Sequence, residues 1–101
     1  MNMQQLMMQA QKMQRELKKA KEALGTTLFT KSRGGMVEVK MYGNFQIDAI
    51  NIDEDAFDTD NKDMVEEAIA ICINELIAEI REAEAQINNK ITGSPNGGGL
   101  F

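Results

Sequence analysis

GGMVEVKMYGNFQIDAINID, residues 34–53, is the stretch on which the fold turns. Val37, Val39 and Met41 alternate with Glu38 and Lys40, the period-two pattern of a strand with one buried and one wet face. Gly34-Gly35 precedes that strand and Gly43-Asn44 follows it, each a dipeptide suited to a two-residue hairpin turn. The spacing predicts strands over Thr26–Ser32, Met36–Tyr42 and Phe45–Ile52, joined as a three-stranded antiparallel meander.

On the N-terminal side of the meander the period changes to 3.5. Met3, Leu6, Ala10, Met13, Leu17, Ala20 and Leu24 follow at intervals of 3, 4, 3, 4, 3 and 4, an unbroken a/d ladder. Gln, Lys, Glu and Ala fill the other positions, all good helix formers. A helix is expected over residues 2–24, with Gly25 as a C-terminal cap that tolerates positive φ.

On the C-terminal side, Asp53–Asp63 is an acidic connector, and Asp60 and its neighbours suit a helix N-cap. A second helix is predicted from Asn61 to Lys90, with Val65, Ile69, Cys72, Leu76, Ile80, Ala83 and Ile87 on one stripe. Ala70, Ile71, Ile73 and Ile77 carry apolar surface further round, so this helix needs cover on more than one side. One helix and three strands cannot supply it all. The excess points to an intertwined or two-fold homodimer. The chain thus reads as α+β, with a long N-terminal helix, a meander and a long C-terminal helix. Residues 1–91 form one domain, and residues 92–101, TGSPNGGGLF, a flexible glycine-rich tail.

Composition narrows the chemistry. The 101 residues include one cysteine and no histidine, which removes a disulfide framework and the usual general-base and transition-metal partners. Asp53, Glu54, Asp55, Asp58, Asp60 and Asp63 fail the calcium-loop pattern, since no glycine holds the turn and Lys62 falls where an oxygen ligand is needed. Cys72, between Ile71 and Ile73, reads as a buried inert thiol. No cofactor, metal, catalytic constellation or small-molecule substrate is indicated. Met1–Gln11 lacks the basic and apolar regions of a signal peptide, and Ala68–Ile73 is too short to span a bilayer. The expectation is a soluble cytoplasmic protein without a membrane partner.

The charge is segregated. Residues 1–40 hold eight of the eleven Lys/Arg against three acids, a local +5, whereas residues 41–101 hold three against thirteen, a local −10. Lys12, Arg15, Lys18 and Lys19 cluster on the side of the first helix opposite the a/d ladder, with Lys21 nearer the apolar flank. Lys31 and Arg33 carry positive charge into the first hairpin. Cations along a helix suit phosphate contacts that read no bases. A solvated face is the alternative, helped by the i,i+4 neighbours Lys12–Glu16 and Lys18–Glu22. No zinc finger, helix-turn-helix or aromatic interleaving specifies sequence readout.

Four stretches together resemble the YbaB/EbfC family of bacterial nucleoid-associated proteins. They are MNMQQLMMQAQKMQREL (1–17), the meander quoted above, DNKDMVEEAIAICINELI (60–77) and GGGLF (97–101). The resemblance implies a nucleoid-located homodimer that binds double-stranded DNA with little sequence preference and has no catalytic activity or cofactor. It places DNA contacts on projecting helices, which here means Lys12, Arg15, Lys18 and Lys19, with Lys31 and Arg33 as weaker additions. Pro95 departs from the pattern by standing apart from the final Gly-Leu-Phe. So does the acidic second helix, which offers a phosphate only Arg81 and Lys90. A prefoldin-like helical interaction or chaperone protein, using the methionine stripe on protein clients, is the alternative reading.

Overall fold

The computed structural model describes residues 2–93. Helix α1 (Met3–Gly25) leads into strands β1 (Leu28–Arg33), β2 (Val37–Tyr42) and β3 (Ile47–Ile52). Two 3-10 turns, Glu54–Ala56 and Thr59–Asn61, connect β3 to helix α2 (Lys62–Thr92). The sheet is an antiparallel meander in the order β1-β2-β3. The molecule is long and thin, 69 × 26 × 14 Å.

The core lies between β2 and α2. Val37, Val39 and Met41 turn inward from β2, as their alternation requires, and meet Val65, Ala68, Cys72, Leu76 and Ile80 of α2. Helix α2 lies across β1 and β2 and leaves much of the inner face of β3 open. Beyond Ile80 the helix runs past the sheet. There Ile87, Lys90 and Ile91 line a cleft of about 440 Å³ with Glu16 and Ala20 of α1.

Both hairpin connections are longer than the two-residue turns expected, three residues (34–36) in the first and four (43–46) in the second. Gly34 and Gly35 take positive φ (62° and 68°), and the Met36 N–H donates to the Arg33 carbonyl at 3.2 Å, the features of a type I′ turn. Strand pairing starts only at Arg33↔Val37, because the Met36 carbonyl accepts from the Asp53 N–H at 2.8 Å. In the second loop Phe45 holds the left-handed region (φ 70°), a strained place for a bulky side chain. The Asn44 side chain accepts from the Gln46 N–H at 2.9 Å and braces it. A bulge then follows in the pairing, between Lys40 and Met41.

The helix ends also differ from expectation. Gly25 is not a left-handed cap: it is the last helical residue, and Thr26 follows at φ −100°. The hydroxyls of Thr26 and Thr27 donate to the Ala23 carbonyl at 3.0 and 2.9 Å, and the Thr27 N–H donates to the Leu24 carbonyl at 3.0 Å, so the end is closed without a left-handed residue. At the other junction, Asp53 and Asp58 accept from the N–H groups of Asp55 and Asp60 and so cap the two 3-10 turns. Asn61, the N-cap of α2, makes no side-chain cap bond. The helix holds Thr92 and ends at Gly93, which is left-handed (φ 70°). The rest of the expected tail lies outside the described residues.

Gly43 has no room for a side chain. Its N–H donates to the Thr27 carbonyl at 2.9 Å, and a Cβ there would collide with the carbonyl of Leu24. This close approach fixes the root of α1 against the β2–β3 hairpin. Gly43→Ala should destabilise by about 1–3 kcal/mol in urea or thermal unfolding. Gly25→Ala, with only ordinary contact to Asn44 Cβ at 3.7 Å, should stabilise by up to about 1 kcal/mol. A destabilised Gly25→Ala would contradict the right-handed assignment. Cys72 is fully buried, and desolvation, with the Glu75 charge adding to it, pushes its thiol above the ordinary cysteine pKa. Alkylation at pH 8 should therefore spare the native thiol and modify it completely in urea.

Candidate nucleic-acid interface

From Asn2 to Glu16 every residue is exposed, so among the described residues nothing covers the first half of α1. Its N-terminus is closed by Asn2, whose side chain accepts from the Gln5 N–H at 2.8 Å. Only the second half packs: Leu17, Ala20 and Leu24 are half-buried, while Met3 remains 74% exposed and Leu6, Met7 and Met13 are open. Helix α2 stops alongside Glu16, so about thirteen residues, roughly 20 Å of helix, overhang it.

Lys12, Arg15, Lys18 and Lys19 lie on this helix, all exposed, and none has a carboxylate partner among the described residues. The pairs Lys12–Glu16 and Lys18–Glu22 do not form. The positive charge is left facing solvent along about 10 Å of helix. Lys21 also stays exposed and unpaired, and shares a shallow cleft with Gln14, Leu17 and Lys18. It extends the set on its apolar flank, where the sequence reading gave it no role.

Lys31 and Arg33 are placed elsewhere. They pair with Val39 and Val37, which puts both on the helix-facing side of β1. The Lys31 Nζ lies 2.9 Å from Glu79 Oε2, and that hydrogen bond and charge attraction raise its pKa above the ordinary lysine value. Lys31 therefore stays charged but faces a carboxylate instead of open solvent. Arg33 flanks the Gly34-Gly35 turn, in a cleft with Met64, Glu67 and Ile71. The root of α1 rests at Gly43, and β2 separates the two, a strand of six residues and about 20 Å. The structure therefore gathers the four α1 cations on one face and leaves the two hairpin cations apart.

Among the described residues no group of three or more His, Cys, Asp or Glu is placed to hold a metal ion, and no helix is long and apolar enough to cross a membrane. Helix α2 displays Glu75, Glu79, Glu82 and Glu84 on the part that passes β1 and α1, so charge segregation in sequence becomes segregation in space.

Comparison with known proteins identifies the family and the fold. The chain is 41% identical over 101 residues to a nucleoid-associated protein of Agathobacter rectalis, covering 99% of this chain and 88% of that one. It is 37% identical over 102 residues to a nucleoid-associated protein of Clostridium novyi, covering 100% and 90%. An uncharacterized Helicobacter pylori protein, HP0035, shares the fold with a TM-score of 0.76 over 92% of this chain and 99% of that one, at 23% identity. A family model matches residues 1–95, and with these relatives it establishes that the chain belongs to the YbaB/EbfC DNA-binding family.

Proposed function

We propose that this protein binds double-stranded DNA with little sequence preference, as a homodimer in the bacterial nucleoid, through phosphate contacts from Lys12, Arg15, Lys18 and Lys19. One observation carries the reading: four cations stand exposed and unpaired on one face of a helix that projects from the body. The net charge of −5 does not oppose it, because exposed charges are screened within roughly 8 Å at physiological salt. Nucleoid-associated proteins among the relatives point the same way. Arg33 is a secondary contact at most, and Lys31, held by Glu79, is weaker still. The function is one of binding and needs no catalytic residue, cofactor or small-molecule substrate.

Uncovered apolar surface supports the homodimer. Ile47 and Ile50 of β3 are each 42% exposed although they face the α2 side of the sheet. Ile69, Ile73 and Ile77 of α2 are only half-buried beside them, and a cleft of about 480 Å³ runs between Ile52, Phe57, Val65 and Ile69. β3 is also an edge strand, with one side of its ladder unpaired. A second copy seated on this surface would cover the isoleucines and the edge together. Ile50→Glu should shift the protein from dimer to monomer in light scattering with its helical circular dichroism retained.

The DNA reading is tested by gel shift on unrelated duplexes. With about four phosphate contacts per protomer and eight per dimer, log K should fall against log salt with a slope of about −7. Replacing Lys12, Arg15, Lys18 and Lys19 by Glu should abolish the shift and leave the dimer intact. The bare stripe of Met3, Leu6 and Met13 favours a second reading, a protein client held as by a prefoldin-like subunit. Serine at those three positions would then eliminate binding of that client while the Glu variant kept it.

A further inference from the structure

The tip of α1 differs in chemistry from the basic half behind it. Between Asn2 and Gln11 there is no charged side chain, but there are four glutamines, at positions 4, 5, 9 and 11. Gln4, Met8, Gln11 and Arg15 follow one another by 4, 3 and 4 residues, which places them on one line of the helix, opposite the Met3–Leu6–Ala10–Met13 stripe. The side-chain amides of Gln4 and Gln11 make no hydrogen bond among the described residues, and Met8 is 62% exposed. The line therefore offers two free donor–acceptor amides and an apolar tip, with Arg15, Lys12 and Lys19 beside its base.

This set matches the major-groove edge of A·T pairs. Glutamine can donate to adenine N7 and accept from adenine N6, and an apolar side chain packs on the thymine methyl. From Gln4 to Gln11 is about 10 Å along the helix, close to three base-pair steps of 3.4 Å. A helix of about 10–12 Å diameter enters a groove about 12 Å wide only if its sides are free, as they are from residue 2 to residue 16. Over residues 2–11 there is no charged side chain, and none of the described residues packs against them.

We propose that Gln4 and Gln11, with Met8 between them, read adenine–thymine pairs in the major groove and give the protein a modest preference for A·T-containing DNA. This rests on the phosphate-binding reading of α1: the cations supply affinity, and the glutamine line supplies the discrimination. A good amide–adenine pair discriminates about tenfold or more, so the preference stays small beside that of dedicated sequence readers.

Full-length protein would be titrated against three duplexes of equal length, with an A·T core, a G·C core, and the A·T core carrying 7-deazaadenine. The last lacks the N7 acceptor but keeps the minor groove unchanged. We expect the A·T core to bind about tenfold tighter than the G·C core, and the 7-deaza duplex to fall to the G·C level. The Gln4→Ala/Gln11→Ala variant should bind all three at the G·C affinity with an unchanged salt slope. Equal binding of the first two duplexes by the parent would overturn the inference and leave phosphate binding standing. So would a preference that survives in the 7-deaza duplex or in the glutamine variant. Failure to bind any duplex would instead sink the phosphate reading, and this inference with it.

Discussion

Val39 and Met41 of the central strand meet Cys72, Leu76 and Ile80 of α2 in a contact that excludes water almost completely, and every other element takes its position from it. Apolar burial of this kind contributes about 25 cal/mol per Å², and here it is concentrated in one strand and half of one helix. The flanking strands are recruited through the ladder of β2, and the acidic connector returns the chain to start α2 over the sheet. The other half of α2 runs free of the sheet and becomes the bed on which α1 rests.

That division explains why α1 is half anchored and half bare. The close approach of Gly43 to Leu24 fixes its root, Leu17 and Ala20 pack on the far end of α2, and none of the described residues covers its first thirteen. A helix held this way depends on propensity, and its run of Gln, Met, Lys and Ala suits that need. The overhang keeps Lys12 and Arg15 clear of α2, while Lys18 and Lys19 lie on the face of α1 opposite the stripe that packs on it. Lys31, only one element away but facing the core side, is captured by Glu79. Exposure decides which cations remain available to a phosphate.

The fold was largely legible in the sequence, because Val37, Val39 and Met41 alternate and the α1 ladder repeats over three heptads. Errors fell at the junctions. Gly25 resembled a glycine cap, but the Thr26 and Thr27 hydroxyls reach the Ala23 carbonyl and the Thr27 N–H reaches that of Leu24, so left-handed backbone is not needed there. The hairpin connections run to three and four residues instead of two, with Met36 bonded to Asp53 in the first and Phe45 braced by Asn44 in the second. These are local competitions between hydrogen-bond partners, and dipeptide preferences do not record who the distant partner is. The site was half legible: the α1 cations could be placed on one helical face, but the separation of Lys31 and Arg33 from them depends on where the sheet puts β1.

By itself the sequence determined the order of elements, the faces of β2 and α1, the basic character of α1 and the acidic character of α2, since each follows from periodicity and side-chain type within one segment. Tertiary structure alone decided that α2 covers β1 and β2 and leaves the isoleucines of β3 open. It also decided that α1 overhangs its partner helix, that Lys31 is paired and that Lys12, Arg15, Lys18 and Lys19 are not. The reason is physical: a period records which side of a segment avoids water, but not how far the neighbour that covers it extends. Where α2 ends beside Glu16, apolar and cationic side chains alike are left to solvent, and no pattern within α1 marks that point.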